Sequence, residues 1–210
     1  DTVSDADVVA FKGYSGSDLA SLTSQDVEAL LIESGLWTAL RTRPFSKAPA
    51  PGTRPAALFV TATDSNPLAP SMELIAEGRQ EDLDTGMLAV SKLCDGRSIY
   101  CKAPDMAMEP AAKTGVTVEE FSGPHPSGTA GLHIHTLEPV HRGKMVWSIG
   151  LQDVLAIGVL FNTGKLDVSR IVSLAGPGVE RPRLLSTRIG ASTDDLVDGE
   201  LKAGEQRIIS

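Results

Sequence analysis

The run ALFVTA at residues 57–62 and the run SIYCK at residues 98–102 decide the fold, because each has the length and apolar character of a strand buried on both faces. Between them, apolar residues at helical spacing from Leu74 to Leu93 predict one long helix, bent near Gly78. Strand, helix and strand make a βαβ unit, whose right-handed crossover predicts a parallel, three-layer α/β sheet. Ligands of such sheets bind beyond the carboxyl ends of the strands, where the loop at residues 63–67 lies.

The rest of the chain extends this pattern. Thr23 and Asp26 form a capping box that predicts a short helix ended by Gly35. The other predicted elements are strands at Val116–Phe121, His133–His135 and Met145–Ile149, a helix at Leu151–Phe161, strands at Arg170–Leu174 and Arg183–Thr187, a helical turn at Ser192–Val197 and a last strand at Arg207–Ile209. The predicted domains are a lead-in segment at 1–22, an α/β domain at 23–165 and a small α+β module at 166–210, whose shortness suggests truncation.

Composition excludes several classes of protein. The 210 residues are 41% apolar and 22% charged, and 19 basic against 27 acidic side chains give a net charge of −8, which excludes a disordered tail and a general nucleic-acid binder. Two cysteines, Cys94 and Cys101, are too few for a disulfide framework, so we expect reduced thiols and a cytosolic compartment. The apolar stretch at 145–164 contains Asp153, which favours a strand and a helix over a membrane span. The absence of an initiator Met leads us to expect a piece of a longer protein.

No nucleotide-binding loop is present in the sequence. The dinucleotide-binding motif G-x-G-x-x-G and the Walker loop are both missing. The hydrolase motif G-x-S-x-G and the zinc-protease motif H-E-x-x-H are missing as well. Without a glycine-rich turn the backbone cannot wrap a pyrophosphate at a helix N-terminus. The sequence therefore predicts no conventional dinucleotide site.

The segment at residues 35–47 concentrates Trp37, Phe45 and three cations in a chain with few aromatic residues. This combination suits stacking on a flat ring and donation of hydrogen bonds to its oxygens. The alternative is a solvent-exposed loop whose two aromatic side chains are buried in the core. Four prolines, at positions 44, 49, 51 and 55, exclude a regular helix or a central strand in this part of the chain.

Histidine and acidic residues elsewhere each have two interpretations. His133 and His135 alternate and would share a strand face, and with His125 they supply three imidazoles for Zn²⁺. No partner at a fixed spacing supports that site, so we predict hydrogen-bonded histidines and no metal. Asp64 and Asn66 suit either a binding site or an ordinary helix cap and turn.

Several strings, in order along the chain, carry a resemblance to a known family. They are SGLWTALRTRPFSK at 34–47, ATDSNPLA at 62–69, GPHPSG at 123–128, AGLHIH at 130–135, QDV at 152–154 and LAGP at 174–177. From about residue 24 onward the sequence resembles the A-subunit family of the sodium-translocating NADH:quinone reductase. Members of that family carry further domains before and after this region.

The resemblance implies a function within a multisubunit respiratory pump that oxidises NADH, reduces ubiquinone and exports Na⁺. The A-subunit is peripheral, on the cytoplasmic side of the bacterial inner membrane, without transmembrane helices. The family places FMN, FAD and a [2Fe-2S] centre in other subunits, so we expect no cofactor in this fragment, no catalysis by it alone, and ubiquinone bound by the intact subunit. The candidate quinone-binding residues are Trp37, Arg41, Arg43, Phe45, Lys47, Asp64, Asn66 and His125.

The layout is also distantly similar to the flavin-bearing, NADH-oxidising subunit of respiratory complex I and its Rnf-type relatives. Their glycine-rich loop is replaced here by residues 37–41, and their acidic turn by Asp64-Ser65-Asn66. The resemblance thus implies a Rossmann-like domain whose bulky side chains exclude the flavin. The tail from Leu166 resembles the β-grasp, soluble-ligand-binding module of those subunits.

Two other functions stay open on the sequence. One is an autonomous flavin- or NADH-dependent oxidoreductase, against which residues 37–41 argue. The other is a pure interaction module, in which the cationic stretch from Arg41 to Arg54 docks on an acidic partner or on lipid headgroups.

Overall fold

A computed structural model describes residues 9–14 and 17–209. The helices are α1 (Ser17–Ser21), α2 (Ser24–Glu33), α3 (Met72–Ala76), α4 (Gln80–Ser91), α5 (Ala130–Leu137), α6 (Leu151–Thr163) and α7 (Thr193–Val197), with 3₁₀ turns at Leu36–Ala39 and Ala112–Thr114. The strands are β1 (Arg41–Arg43), β2 (Ala57–Ala62), β3 (Arg97–Lys102), β4 (Thr117–Glu120), β5 (Val146–Gly150), β6 (Ser169–Leu174) and β7 (Arg183–Arg188). Of the predicted lead-in segment, residues 1–8, 15 and 16 lie outside the described part, and α1 forms near its end.

A five-stranded sheet in the order β1-β5-β2-β3-β4 forms the centre of the described molecule. Strands β2, β3, β4 and β5 are parallel, and Leu58 of β2 is in register with Ser98 on one side and Trp147 on the other. Strand β1 runs antiparallel to β5 at the sheet edge, and Pro44, which follows it directly, is compatible with an edge strand but not with a central one. The predicted βαβ unit and the mostly parallel α/β sheet are therefore confirmed.

Helices pack on both faces of this sheet because its central strands are apolar on both sides. Leu58 and Val60 lie in the larger core cluster with α2, α4 and α6, whereas Phe59 and Ile99 pack against Ile134 of α5. Successive residues of β2 thus serve opposite faces, as strand geometry dictates.

The helix predicted between β2 and β3 is two helices. Helix α3 ends before Glu77, whose backbone is extended, and Gly78 adopts the left-handed conformation (φ 73°) before α4 begins. The predicted bend lies at the right position, but the helix is interrupted there and does not continue through it.

Two predicted strands were wrong. His133–His135 lies within helix α5, since Ala130, His133, Ile134 and Leu137 recur at helical spacing and pack Ile134 onto the sheet. Residues 207–209 form no strand with any described segment, and the Ile209 side chain is exposed.

The boundaries of several helices follow the sequence signals. The capping box of Thr23 and Asp26 begins α2, and Gly35 (φ 81°) follows its end. Gly164 closes α6 in the left-handed conformation. Among the described helices α6, with 13 residues, is the longest, and none is long and apolar enough to span a membrane.

After α6 the chain forms an antiparallel pair, β6 with β7, separate from the main sheet. This pair and α7 agree with the predicted short strands and helical turn. The Rossmann-like and β-grasp assignments, and the domain boundaries at 23, 165 and 166, stay predictions.

Candidate functional site

A cavity of about 600 Å³ opens at the carboxyl ends of β2 and β5. Strands β2 and β5 are neighbours in the sheet, and ligands of α/β sheets bind outside the carboxyl ends of such strands. The cavity is lined by Ala39, Arg41, Thr61, Thr63, Asp64, Asn66, Met72, Gly128, Thr129, Ala130, Ser148, Ile149, Gly150, Leu151, Gln152, Asp153 and Arg170.

The carboxylate of Asp153 lies in the cavity under the influence of two guanidinium groups. Asp153 Oδ1 is 2.6 Å from Arg170 Nη2. Burial raises the pKa of Asp153, and the charges of Arg170 and Arg41 partly offset that rise. Arg41 Nη1 donates to the carbonyl oxygens of Thr38 and Leu40, which holds its side chain at the cavity edge.

Hydrogen-bond donors converge on the same space. Helix α6 begins at Leu151 and α5 begins at Ala130, both lining residues, and no side chain caps either helix. Unpaired N–H groups at helix N-termini attract acceptor oxygens. The Thr61 hydroxyl is buried and makes no hydrogen bond to the described residues. The arrangement suits a ligand that carries carbonyl or carboxylate oxygens.

The turn interpretation of Asp64 and Asn66 is confirmed, and their role in a binding site stays a prediction. Asp64 Oδ1 accepts hydrogen bonds from the backbone N–H and the side-chain amide of Asn66, each at 2.8 Å, which closes a turn after β2. The same two side chains line the cavity.

His125 lies next to this turn without lining the cavity. Its Nδ1 is 3.1 Å from Ser65 Oγ, which also accepts a hydrogen bond from the N–H of Gly128 at 2.8 Å. Gly128 is required there because a Cβ would lie 2.3 Å from Ser65 N. His125 therefore helps to join two loops at the cavity mouth.

The two aromatic side chains of the 35–47 segment have different environments. Trp37 is only 6% exposed, donates from Nε1 to the carbonyl of Pro49 at 2.8 Å, and packs edge-on against Trp147. Phe45 is 83% exposed. The core interpretation is right for Trp37 and wrong for Phe45, and neither ring lines the cavity.

Arg43 and Lys47 also lie away from the cavity. Arg43 lines a separate groove of about 240 Å³, and the exposed Lys47 pairs with Thr42 through its backbone. The structure thus brings Arg41, Asp64 and Asn66 together in one cavity and leaves the other five candidate residues outside it.

Sequence reasoning missed Gln152, Asp153 and Arg170 as site residues. A signal existed for Asp153, the one charge in the apolar stretch at 145–164, immediately after a predicted strand. Arg170 had no such signal, because its place depends on how β6 packs beside α6.

The three histidines do not form a zinc site. Within the described part of the chain, no group of three His, Cys, Asp or Glu side chains is placed to hold a metal ion. His133 is buried, and its Nε2 is 2.8 Å from the carbonyl oxygen of Ser127. This contact agrees with the prediction of a hydrogen-bonded histidine.

Fold and cavity together define an α/β protein with a polar crevice at the carboxyl edge of a mostly parallel sheet. The chain belongs to the NqrA family: residues 22–166 match the model described as the NqrA second alpha/beta domain, and residues 171–210 match the NQRA C-terminal domain. The resemblance drawn from the sequence strings is thereby confirmed.

Curated relatives are named as the A-subunit of the Na(+)-translocating NADH-quinone reductase. One from Serratia proteamaculans is 52% identical over 95% of this chain, and one from Cellvibrio japonicus is 47% identical over 97% of it. The chain spans 44% and 46% of the lengths of these two relatives.

The fold is also similar to that of a solved structure. It is titled the crystal structure of NAD+-reducing [NiFe]-hydrogenase in the H2-reduced state, and it matches 91% of this chain and 44% of its own with a TM-score of 0.54. At 13% sequence identity the likeness concerns the fold alone.

Proposed function

We propose that this chain is the central part of a peripheral subunit of a Na⁺-translocating NADH:quinone reductase, assembled with the other subunits on the cytoplasmic side of the bacterial inner membrane. The observation that carries the proposal is the identity of 47–52% over nearly the whole chain with relatives named as the A-subunit of that enzyme. In this proposal FMN, FAD and the [2Fe-2S] centre belong to other subunits.

The test is assembly and activity of the complete enzyme. The full-length subunit that contains this chain is tagged and produced with the remaining reductase subunits. We expect the subunits to co-purify and to show Na⁺-stimulated quinone reduction by NADH, which is lost when residues 22–209 are deleted. Unchanged activity of the deleted enzyme would contradict the proposal.

We further propose that this part of the subunit binds no flavin. Of residues 37–41, Ala39 and Arg41 line the cavity and Trp37 points into the core, so the steric obstacle lies in the tethered Arg41 side chain. We expect the purified subunit to lack a flavin absorption band. A stoichiometric bound flavin would instead favour an autonomous flavin-dependent oxidoreductase.

A quinone headgroup is the ligand that we propose for the cavity. Quinone carbonyl oxygens need donors, which Arg41 and Arg170 can provide, while Met72 and Leu151 offer an apolar wall for the ring. No aromatic side chain is among the lining residues, so ring stacking has no part in this proposal.

Arg41 and Arg43 form a matched pair for testing the quinone site. In the intact protein Arg41→Ala should weaken quinone binding about tenfold, the value of one lost hydrogen bond from a charged donor. Arg43→Ala, outside the cavity, should leave the affinity unchanged. Equal effects of the two substitutions would place the quinone elsewhere.

A further inference from the structure

A tight turn holds Phe45 away from the body of the protein. Phe45 (φ 79°) and Ser46 (φ 50°) both adopt the left-handed conformation, which is uncommon for a bulky side chain. The buried Thr42 fastens the turn: its N–H donates to the Lys47 carbonyl at 2.8 Å, and its carbonyl accepts from the Ser46 N–H at 2.9 Å. The exposure of the phenyl ring is therefore imposed by a hydrogen-bonded turn.

A small apolar groove is lined by Arg43, two residues before Phe45 in the sequence. Its lining residues are Arg43, Gly131, Ile134, His135, Pro139 and Val140, and its volume is about 240 Å³. That volume is below the range of roughly 300–1,000 Å³ found for small-molecule sites, and suits inserted side chains better than a whole ligand. Val140 is 37% exposed, so the groove and Phe45 leave apolar surface in contact with solvent.

The charge beside the groove is positive, although the whole chain carries −8. Arg43 and Lys47 form no ion pair with any described residue, and Arg43 Nε is buried without an acceptor among them. No acidic side chain lines the groove. A carboxylate on a partner would therefore complement this surface.

We propose that Phe45 and the groove form a docking surface for a protein segment that carries an apolar side chain and a carboxylate, supplied by another subunit of the reductase. The inference rests on the function proposed above. A protein segment fits better than a lipid surface because a concave groove is filled by a side chain, and because aromatic residues and arginine are enriched in protein–protein interfaces.

The test measures association in the intact complex. The tagged full-length subunit carries Phe45→Ala, Arg43→Glu or Lys47→Glu, and the amount of each other subunit retained is measured against salt concentration. Leu74→Ala, at 53% exposure, and Arg188→Glu, exposed and without an ion pair to the described residues, are the matched controls. We expect association to weaken at least about tenfold in the three docking variants and to match wild type in both controls.

Photocrosslinking identifies what lies against the turn. With Phe45→p-benzoylphenylalanine in the assembled enzyme, a crosslink to another subunit supports the proposal, and a crosslink to lipid alone overturns it. Wild-type association of all three docking variants also overturns it, while the proposed function survives. If the wild-type subunit retains none of the others, the proposed function fails and this inference fails with it.

Discussion

His133 is a titratable side chain that folding keeps out of water. It has no exposed surface, and burial lowers its pKa below the usual value of 6.5, against the opposing effect of its hydrogen bond to Ser127. The unfolded chain takes up a proton near pH 6.5 and the folded chain does so only at lower pH. The free energy of unfolding should therefore decrease as the pH falls below about 6.5, by at most about 1.4 kcal/mol per pH unit from this group.

Urea unfolding at about pH 7 and about pH 5.5 measures this dependence. His133→Gln removes the titrating ring but can still donate to the Ser127 carbonyl, so its stability should change less between the two pH values. His135→Gln, on the exposed side of α5, should retain the wild-type difference. The same pH dependence in all three proteins would show that His133 is not its source.

The sequence indicated which residue types would serve a site, but it could not give their positions. Trp37 and Phe45 stand eight positions apart in one segment, yet one is buried and the other exposed. Arg41 and Arg43 lie on the same face of β1, because strand side chains repeat with a period of two. They line different cavities because Arg41 pairs with Ser148, towards the carboxyl end of β5, whereas Arg43 pairs with Val146 at its start. Asp64 and Asn66 were predictable because the loop after a parallel strand opens onto the sheet edge.

Elements were predictable where burial on both faces left a continuous apolar run. The run at 57–62 satisfies that condition, so strand β2 was predicted with its observed bounds. At 133–135 the polar-apolar alternation is too short to distinguish a strand from a helix, and the helical period becomes visible only over 130–137. A strand at 207–209 would have needed a partner strand, which local sequence does not specify.

Helices α4 and α6 approach closely because each has a glycine at the crossing. A Cβ on Gly158 would lie 1.9 Å from the Asp82 carbonyl oxygen, and one on Gly86 would lie 2.1 Å from that of Val154. Gly158→Ala should therefore force the helices apart and reduce the free energy of unfolding by about 1–3 kcal/mol.

Gly131→Ala is the control for this prediction. A Cβ there meets nothing within 4 Å in helix α5, so the substitution should be neutral or stabilising by up to about 1 kcal/mol. Urea midpoints of both variants give the comparison. A Gly158→Ala protein as stable as wild type would mean that the two helices are less closely packed than described.

At the scale of the molecule, contacts from α6 and from Arg79, the residue before α4, attach the β6–β7 pair to the main body. The Gln152 side chain accepts from the Ile171 N–H at 2.9 Å and donates to the Ile171 carbonyl at 3.1 Å, as a neighbouring strand would. Ion pairs of Arg79 with Asp167 and of Arg170 with Asp153 reinforce the attachment. The cavity thus takes part of its wall from β6, and its shape depends on this attachment.

Gln152→Ala tests whether these contacts hold β6 in place. The substitution removes both hydrogen bonds to Ile171, so amide exchange at Ile171 should become about tenfold faster, while amides of β2 and β3 keep their protection. Gln80→Ala, which removes side-chain hydrogen bonds to Asp84 and Glu109 elsewhere on the molecule, is the control and should leave β6 unchanged. Unaltered exchange at Ile171 in the Gln152→Ala protein would mean that the two ion pairs alone hold β6. In that case Arg170→Ala, which breaks one of them and removes a cavity wall residue, should produce the loss of protection that Gln152→Ala does not.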